Sequence, residues 1–426
     1  MRILLTQFII LIIVGVISVG LNSVVHAQTI EELQQKITSQ TSAIQKLEKE
    51  IAQYEGDLAT LASKKKTLSN AIATLEATRK KLETDIRLTQ TKVDTTDLKI
   101  RQLGSEIIYK EDEISDRKAA LKEALLSMYE SDKQSLAQIA LSNGSFSELW
   151  NDLETLEMFS SQVTENVVLI KSLKADLEIK NKAKEAEKGK LLGLKSNLGD
   201  QKKITEDNKK QTTALLTQTK NKESEYQKTL SQKLAQKDAL EKELREYEST
   251  LKFILDPSSI PPRGTKVFSS PLDKIFITQQ FGKTSDSGRL YASGTHNGTD
   301  FRASVGTPVK AMLSGVVMGV GDTDQFLGCY SYGKWVLVKH SNGLASLYAH
   351  FSLIKVSAGQ SVNTGEVLGL SGNTGYSEGP HLHLTVFASK AVEIVRLGDV
   401  KKATNCAKAP MPVAALNAYL DPMDYL

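Results

Sequence analysis

From Ile30 to Ile107 the apolar residues step alternately by three and four. Ile30, Ile37, Ile44, Ile51, Leu58, Ile72, Ile86, Val93, Ile100 and Ile107 take one heptad position, and Leu33, Leu47, Tyr54, Leu61, Leu68, Leu75, Leu82 and Leu103 take the other. An Ile-rich a and Leu-rich d seam of this length predicts a left-handed coiled coil, because a stripe repeating every 3.5 residues faces a partner only when helices supercoil. All nine prolines lie at or after Pro257, so none interrupts it. A proline inside a helix removes a backbone hydrogen bond and clashes with the preceding turn. A solvated charged helix would not need the apolar stripe.

A second helical stretch, about residues 162–251, has a thinner seam that includes Ile170, Leu173, Leu177, Leu191, Leu194, Leu198, Leu240 and Leu244. Between the two, residues 112–161 are richer in apolar and aromatic side chains, with a Ser142-Asn143-Gly144-Ser145 turn signal. The simplest reading is a helical hairpin: one coil leads out, the apolar segment forms the tip and the second coil returns. Dimerisation of two chains is the alternative. The tip either packs on itself or is a binding patch.

The N-terminus reads as a targeting segment. Arg2 precedes a mostly apolar run from Ile3 to Val25, and Val25-His26-Ala27 suits a cut before Gln28. Either a cleaved signal peptide or an uncleaved anchor spanning residues 1–27 places the rest of the chain outside the cytoplasm. The formal charge is only +4, and no basic stripe with interleaved aromatics exists, which argues against nucleic acid. Mild attraction to an anionic wall polymer is compatible with that charge.

Composition changes at Pro257, beyond which 19 of the 27 glycines lie. Residues 28–255 form the expected coil and 256–267 a Pro-rich linker, where Pro257, Pro261 and Pro262 end the helix. Short β-rich runs between glycine turns follow: 274–278, 308–312, 315–319, 334–340, 344–350, 366–370 and 381–387. They predict an all-β domain over 268–402. Residues 403–426, with Pro410, Pro412 and Pro422, read as an extended C-terminal segment anchored by Tyr419, Leu420 and Tyr425.

Within the β-rich part, His296 and Asp300 form His-x-x-x-Asp, His381 and His383 form His-x-His, and His350 stands in Tyr348-Ala349-His350. Side chains two apart on a strand share a face, so His381 and His383 project together. A catalytic zinc takes three His or carboxylate ligands and leaves a fourth position open. His296, Asp300 and one histidine of the pair supply that set. The other histidine of the pair, with His350, is left for proton transfer. His340 reads as structural, and packing is the simpler role for Tyr291 and Tyr348. In an exported chain Cys329 and Cys406 favour one disulfide over two free thiols, tying the loop 325–332 to the C-terminal segment.

These residues resemble the lysostaphin/LytM family of zinc endopeptidases. The likeness covers about residues 265–392. It rests on Gly294-Thr295-His296-Asn297-Gly298-Thr299-Asp300-Phe301, Gly306-Thr307-Pro308-Val309, Leu347-Tyr348-Ala349-His350-Phe351-Ser352, Gly372-Asn373-Thr374-Gly375 and Gly379-Pro380-His381-Leu382-His383. The resemblance implies that His296, Asp300 and His383 bind Zn2+. It implies too that His350 and His381 act as general base and transition-state stabiliser in either order, and that the substrate is a peptide crosslink of peptidoglycan. The coil resembles that of murein-hydrolase activators of the EnvC and PcsB kind. There a Met-Tyr and Ser-Phe-Ser stretch, here Met128-Tyr129 and Ser145-Phe146-Ser147, lies in the coil that docks on the FtsX membrane protein. Activator members usually lack metal ligands; this chain keeps every one, which implies activity of its own. The alternative is a non-catalytic scaffold that recruits other wall hydrolases through the coil.

Overall fold

The structure, a computed structural model, describes residues 2–62, 66–132, 146–283, 287, 294–400 and 404–426. Among the described residues four long helices precede a β-rich domain: α1 (Arg2–Ala62), α2 (Leu68–Asp132), α3 (Phe146–Thr219) and α4 (Glu223–Thr250). The side chains of 2–29, where the targeting segment was expected, fall outside the described residues. Among the described residues no helix is long and apolar enough to cross a membrane. Of the Met128-Tyr129 and Ser145-Phe146-Ser147 motifs, only the Tyr129 side chain is described, and it is exposed. The chain divides into two compact units, Met1–Glu48 with Arg87–Leu198, and Lys49–Ile86 with Gly199–Leu426.

The heptad seam does not run through one helix. α1 ends at Ala62 and α2 starts at Leu68, and the two lie antiparallel. Within the first unit Gln40 accepts from Thr95 and Glu48 pairs with Lys92; within the second Glu50 accepts from Thr84. In the sequence the seam is interrupted between the two helices, where the a position is Lys65, a residue outside the described ones. Thr67 caps the new helix, its Oγ1 accepting from the Asn70 N–H at 3.2 Å, which satisfies one of the free donors of a helix start. In the first unit α2 and α3 are also antiparallel, with Lys110 paired to Asp176 and Lys180 to Glu106. Ile114, Ile170 and Leu173 are buried together there.

α3 and α4 are separated by Lys220 and Asn221, both at positive φ. Glu223, opening α4, accepts from the Leu68 N–H at 2.8 Å and so caps α2 as well. The thin seam of α4 does not build a coil. Leu240 is buried in a cluster with Cys329, Leu397, Cys406, Ala409 and Met411 of the β-rich domain. On the helical side, Leu82 is fully buried against Ile204, Val305 and Leu370.

The domain's strands are β1 (Ile277–Gln279), β2 (Thr299–Arg302), β3 (Pro308–Lys310), β4 (Gly315–Asp322), β5 (Lys334–His340), β6 (Leu344–Ile354), β7 (Ser361–Val362), β8 (Val367–Ser371), β9 (His381–Ala388), β10 (Glu393–Arg396), β11 (Pro410–Val413) and β12 (Tyr419–Leu420). The main sheet is antiparallel in the order β1-β2-β9-β6-β5-β4-β7, with β8 joining β3 to β6 and β12 joining β9; β10 and β11 form a separate ribbon. Leu382, Leu384 and Val386 of β9 enter one core with Phe301, Val336 and Phe351. Phe387, on the opposite face, packs with Trp335, Leu337 and Leu347. The second face is covered by Ala414, Ala418 and Tyr419 from the C-terminal segment, and by Phe253 and Leu255 from the stretch just after α4, inside the span expected to be coil.

Candidate metal centre

Three neighbouring strands and one loop assemble the histidines. β2 pairs with β9 so that Asp300 lies opposite His383 and Arg302 opposite His381. β6 pairs with the other side of β9, placing Ala349 opposite His383. Directly opposed residues of antiparallel strands share a face. Asp300 and His383 therefore meet, with His381 two residues along the same face. His296 precedes β2 and is fixed by reciprocal backbone bonds to Gly282, 2.8 and 2.9 Å long.

His296 Nε2 lies 3.1 Å from His383 Nδ1 and 3.4 Å from Asp300 Oδ1, and His383 Nδ1 lies 2.8 Å from the same oxygen. All three groups are buried and their ligand atoms lie within 4.8 Å of one another. The outer ring atoms are held as well. His296 Nδ1 donates to the Gln280 carbonyl at 3.0 Å. A carbonyl only accepts, so His296 Nε2 presents its lone pair. His383 Nε2 meets Thr385 Oγ1 at 3.0 Å, and donating there leaves Nδ1 bare. Two imidazole lone pairs and a carboxylate then converge on one point, and a cation among them relieves the crowding of acceptors. Burial alone would push the Asp300 carboxyl up, but the neighbouring histidines, His381 first, hold it well below its ordinary range. Burial pulls the His383 imidazole down, against the opposing pull of Asp300.

His381 and His350 stand beside this triad. His381 Nδ1 donates to the Gly379 carbonyl at 2.7 Å, and its Nε2 is 3.7 Å from Asp300 Oδ1. His350 Nδ1 donates to the Thr374 carbonyl at 2.7 Å. Each imidazole thus keeps a bare Nε2. The two ring centroids are 4.6 Å apart. Burial first, then the neighbouring His381 and His383, pull the His350 imidazole well below its ordinary value, so it is neutral at neutral pH. His350 sits at φ +62°, a left-handed backbone that non-glycine residues seldom adopt, and its N–H is bound to the Tyr332 carbonyl at 2.9 Å. Such strain persists only where the surroundings fix it, and it concentrates at functional sites.

Gly298 is needed for the close approach of β2 to β9: a Cβ there would lie 2.5 Å from the Leu384 carbonyl oxygen and 2.7 Å from the His383 ring. His340 lies away from the site, bound to the Ser314 carbonyl and to Ser346 Oγ. Tyr348 is buried, its hydroxyl accepting from the Met312 N–H, and Tyr291 falls outside the described residues. Cys329 and Cys406 are joined in a disulfide.

Several residues at the site carried no sequence signal. The triad opens into a groove of about 890 Å³, and one wall of it is α4, through Lys237, Leu240, Leu244, Arg245 and Glu248. Arg245 reaches Thr295 Oγ1 at 3.4 Å, Glu243 accepts from the Thr404 N–H at 2.8 Å, and Glu248 accepts from the Tyr419 hydroxyl. Thr385 did have a signal, being two residues beyond His383 on the same strand face. Tyr332, whose hydroxyl accepts from Asn297 Nδ2 at 3.1 Å, had none.

The family model of Peptidase family M23 matches residues 294–394. Among curated proteins, peptidoglycan DD-endopeptidase ShyA of Vibrio cholerae is 38% identical over 121 residues, 28% of this chain and 24% of that protein. DD-carboxypeptidase/endopeptidase Mpg of Neisseria meningitidis is 43% identical over 94 residues, 22% of this chain and 20% of that protein. Lysostaphin of Staphylococcus staphylolyticus is 38% identical over 91 residues, 21% and 18% of the two chains. The matched part therefore spans a quarter or less of the length of these relatives. Among solved structures, the catalytic domain of the prophage-encoded M23 protein EnpA from Enterococcus faecalis is 30% identical; the match covers 29% of this chain and 87% of that one, with a TM-score of 0.25. The stretch that brings His296, Asp300, His350, His381 and His383 together is a Peptidase family M23 domain.

Proposed function

We propose that this chain is a zinc endopeptidase that hydrolyses peptide crosslinks of peptidoglycan in wall remodelling or division, and that it is controlled through its helical part. One observation carries the reading: two imidazole nitrogens and a carboxylate converge within 4.8 Å, beside two further imidazoles. His296 and Asp300 would hold the ion with His383, a His/carboxylate set that suits zinc with one position left for water or substrate. Zinc supplies a Lewis acid that polarises a carbonyl and lowers the pKa of water towards about 7. The name of one relative, peptidoglycan DD-endopeptidase, supports a wall-peptide substrate.

The chain's own residues then act as follows. Neutral His350, with a bare Nε2, can accept a proton from the attacking water; whichever of His350 and His381 stabilises the charge that develops must carry a proton on Nε2, so the two roles divide between them in either order. Their ring centroids are 4.6 Å apart, so a charge on one ring acts directly on the other. The carbonyls of Thr374 and Gly379 fix both tautomers, so neither ring must reorient during the reaction. Thr385 and Gln280 orient the metal-facing rings from behind.

The position of α4 along the groove supports control by the helical part. It also favours a second reading, in which the chain recruits other wall hydrolases through its coil and its own groove stays closed; the complete ligand set favours catalysis. Export, with residues 1–27 as leader or anchor, and docking of the coil on an FtsX-like membrane protein belong to the same proposal and rest on sequence alone. Peptidoglycan digested with the zinc-loaded full chain tests it. New peptide ends identified by mass, absent with His296→Ala, are expected. No cleavage by any form of the chain, together with stimulation of an added amidase, would establish the second reading instead.

A further inference from the structure

Lysine is the residue least expected inside a folded chain, because its ammonium is strongly hydrated. Lys237 of α4 is nevertheless only 5% exposed. Its Nζ sits 5.0 Å from the centroid of the Tyr376 ring and 2.7 Å from Glu241 of its own helix. One turn earlier, Lys233 Nζ sits 5.2 Å from the centroid of the Tyr330 ring. Burial pulls the Lys233 ammonium down, and the charge of the Asp324 carboxylate opposes this. A third lysine, Lys66, pairs with Glu378.

Tyr330, Tyr376 and Glu378 all line the groove that holds the metal triad. They come from two loops, and the loops are tied together. Asp324 accepts from the Gly375 N–H at 2.9 Å, and the Tyr376 N–H donates to the Ser331 carbonyl at 2.8 Å. The backbones touch so closely that a Cβ on Gly375, at φ +72°, would lie 2.1 Å from the Ser331 oxygen. Three ammonium groups from the helical part thus meet one preformed wall of two aromatic faces and two carboxylates. An ammonium over an aromatic face is attracted by the ring quadrupole, the more so when water is excluded.

We propose that this wall is a cation subsite of the peptidase groove, filled here by Lys233 and Lys237, and that its substrate is a wall peptide carrying a free side-chain amino group. α4 is then a pseudosubstrate: the amine of a diamino acid in the peptide displaces the lysines from Tyr330 and Tyr376. The inference rests on the proposed wall-peptide specificity but not on hydrolysis, since the subsite acts through binding.

The test uses the full-length chain stripped of metal by chelation, so that binding is read without turnover. The probes are a crosslinked muropeptide with free side-chain amines and the same muropeptide N-acetylated at those amines. In Lys233→Ala/Lys237→Ala the free-amine probe is expected to bind about ten-fold tighter than to the parent chain, and acetylation is expected to cost about ten-fold. Tyr330→Leu/Tyr376→Leu, added to the lysine variant, should reduce the acetylation penalty to less than about two-fold. Tyr330→Phe/Tyr376→Phe, which keeps the aromatic faces, should retain it. Equal binding of the two probes by the lysine variant overturns the subsite, as does a penalty that survives the leucine pair. Discrimination in binding with no hydrolysis after zinc is restored would remove the peptidase reading and leave the subsite standing.

Discussion

Replacing Glu248 by Gln should remove a pH dependence from the seating of α4. Glu248 is 8% exposed. Burial drives its carboxyl up from 4.5 to about 7, against the Tyr419 hydroxyl, the Ala414 N–H and the Arg245 charge, which pull it down. On a helix released into water the same carboxyl returns to its ordinary value. The seated state therefore binds the proton more tightly, so seating is strongest below pH 4.5 and weakens as pH rises through about 7. The full difference is about 3 kcal/mol, and most of it, roughly a forty-fold change in the seating constant, falls between about pH 5 and 7. Hydrogen exchange of the α4 amides, measured at matched intrinsic rates across that range, reads the seating directly. The parent chain should lose protection in α4 as pH rises, and Glu248→Gln should stay flat. The same slope in both proteins would refute the assignment of the proton to Glu248.

Four further outcomes follow from the geometry. Removing the disulfide with Cys329→Ser/Cys406→Ser opens a loop spanning 77 residues. The chain-entropy account gives a cost of about 4.5 kcal/mol, or roughly 10–15 °C in the calorimetric midpoint of the β-rich domain; an unchanged midpoint contradicts it. Thr385→Val takes the hydrogen-bond partner from His383 Nε2 and should weaken zinc binding about 10–100-fold by titration calorimetry, with the fold intact by circular dichroism. Gly298→Ala forces a methyl group against the His383 ring and should abolish measurable zinc binding; wild-type affinity would show that β2 and β9 can part without consequence. Burial holds the His340 imidazole below 6.5, so its contribution to stability is complete above that pH and declines as pH falls below it. His340→Gln should flatten that part of the melting-temperature profile, and an unchanged slope would assign the loss to other groups.

The site was legible because its parts are local. His381 and His383 share a strand face by spacing alone, and His-x-x-x-Asp places two more ligands within five residues. Thr385 could have been added by the same period-two argument. The expected strands at 308–312, 315–319, 334–340, 344–350, 366–370 and 381–387 all have counterparts, since each is an apolar run bounded by turns. β2 was missed because its four residues are the metal motif itself, and β10, β11 and β12 because short runs among prolines have no clear period.

The helical part was legible in composition and less so in connectivity. A heptad seam records that a helix has a partner and does not identify it. The stripe from Ile30 to Ile107 serves two antiparallel helices, the second opened by a Thr67 cap that local spacing did not flag. Leu240 and Leu244 looked like a weak coil seam, yet they face the disulfide-bearing segment of the β-rich domain. Their partners lie some 80–170 residues away, beyond the reach of any periodicity argument.

Zinc stoichiometry and affinity of the purified full chain test the central claim most directly. The account predicts one tightly held zinc per chain, lost on His296→Ala, Asp300→Ala or His383→Ala and retained with His340→Gln. Binding unaffected by those three substitutions, or no binding by the parent chain, would contradict it.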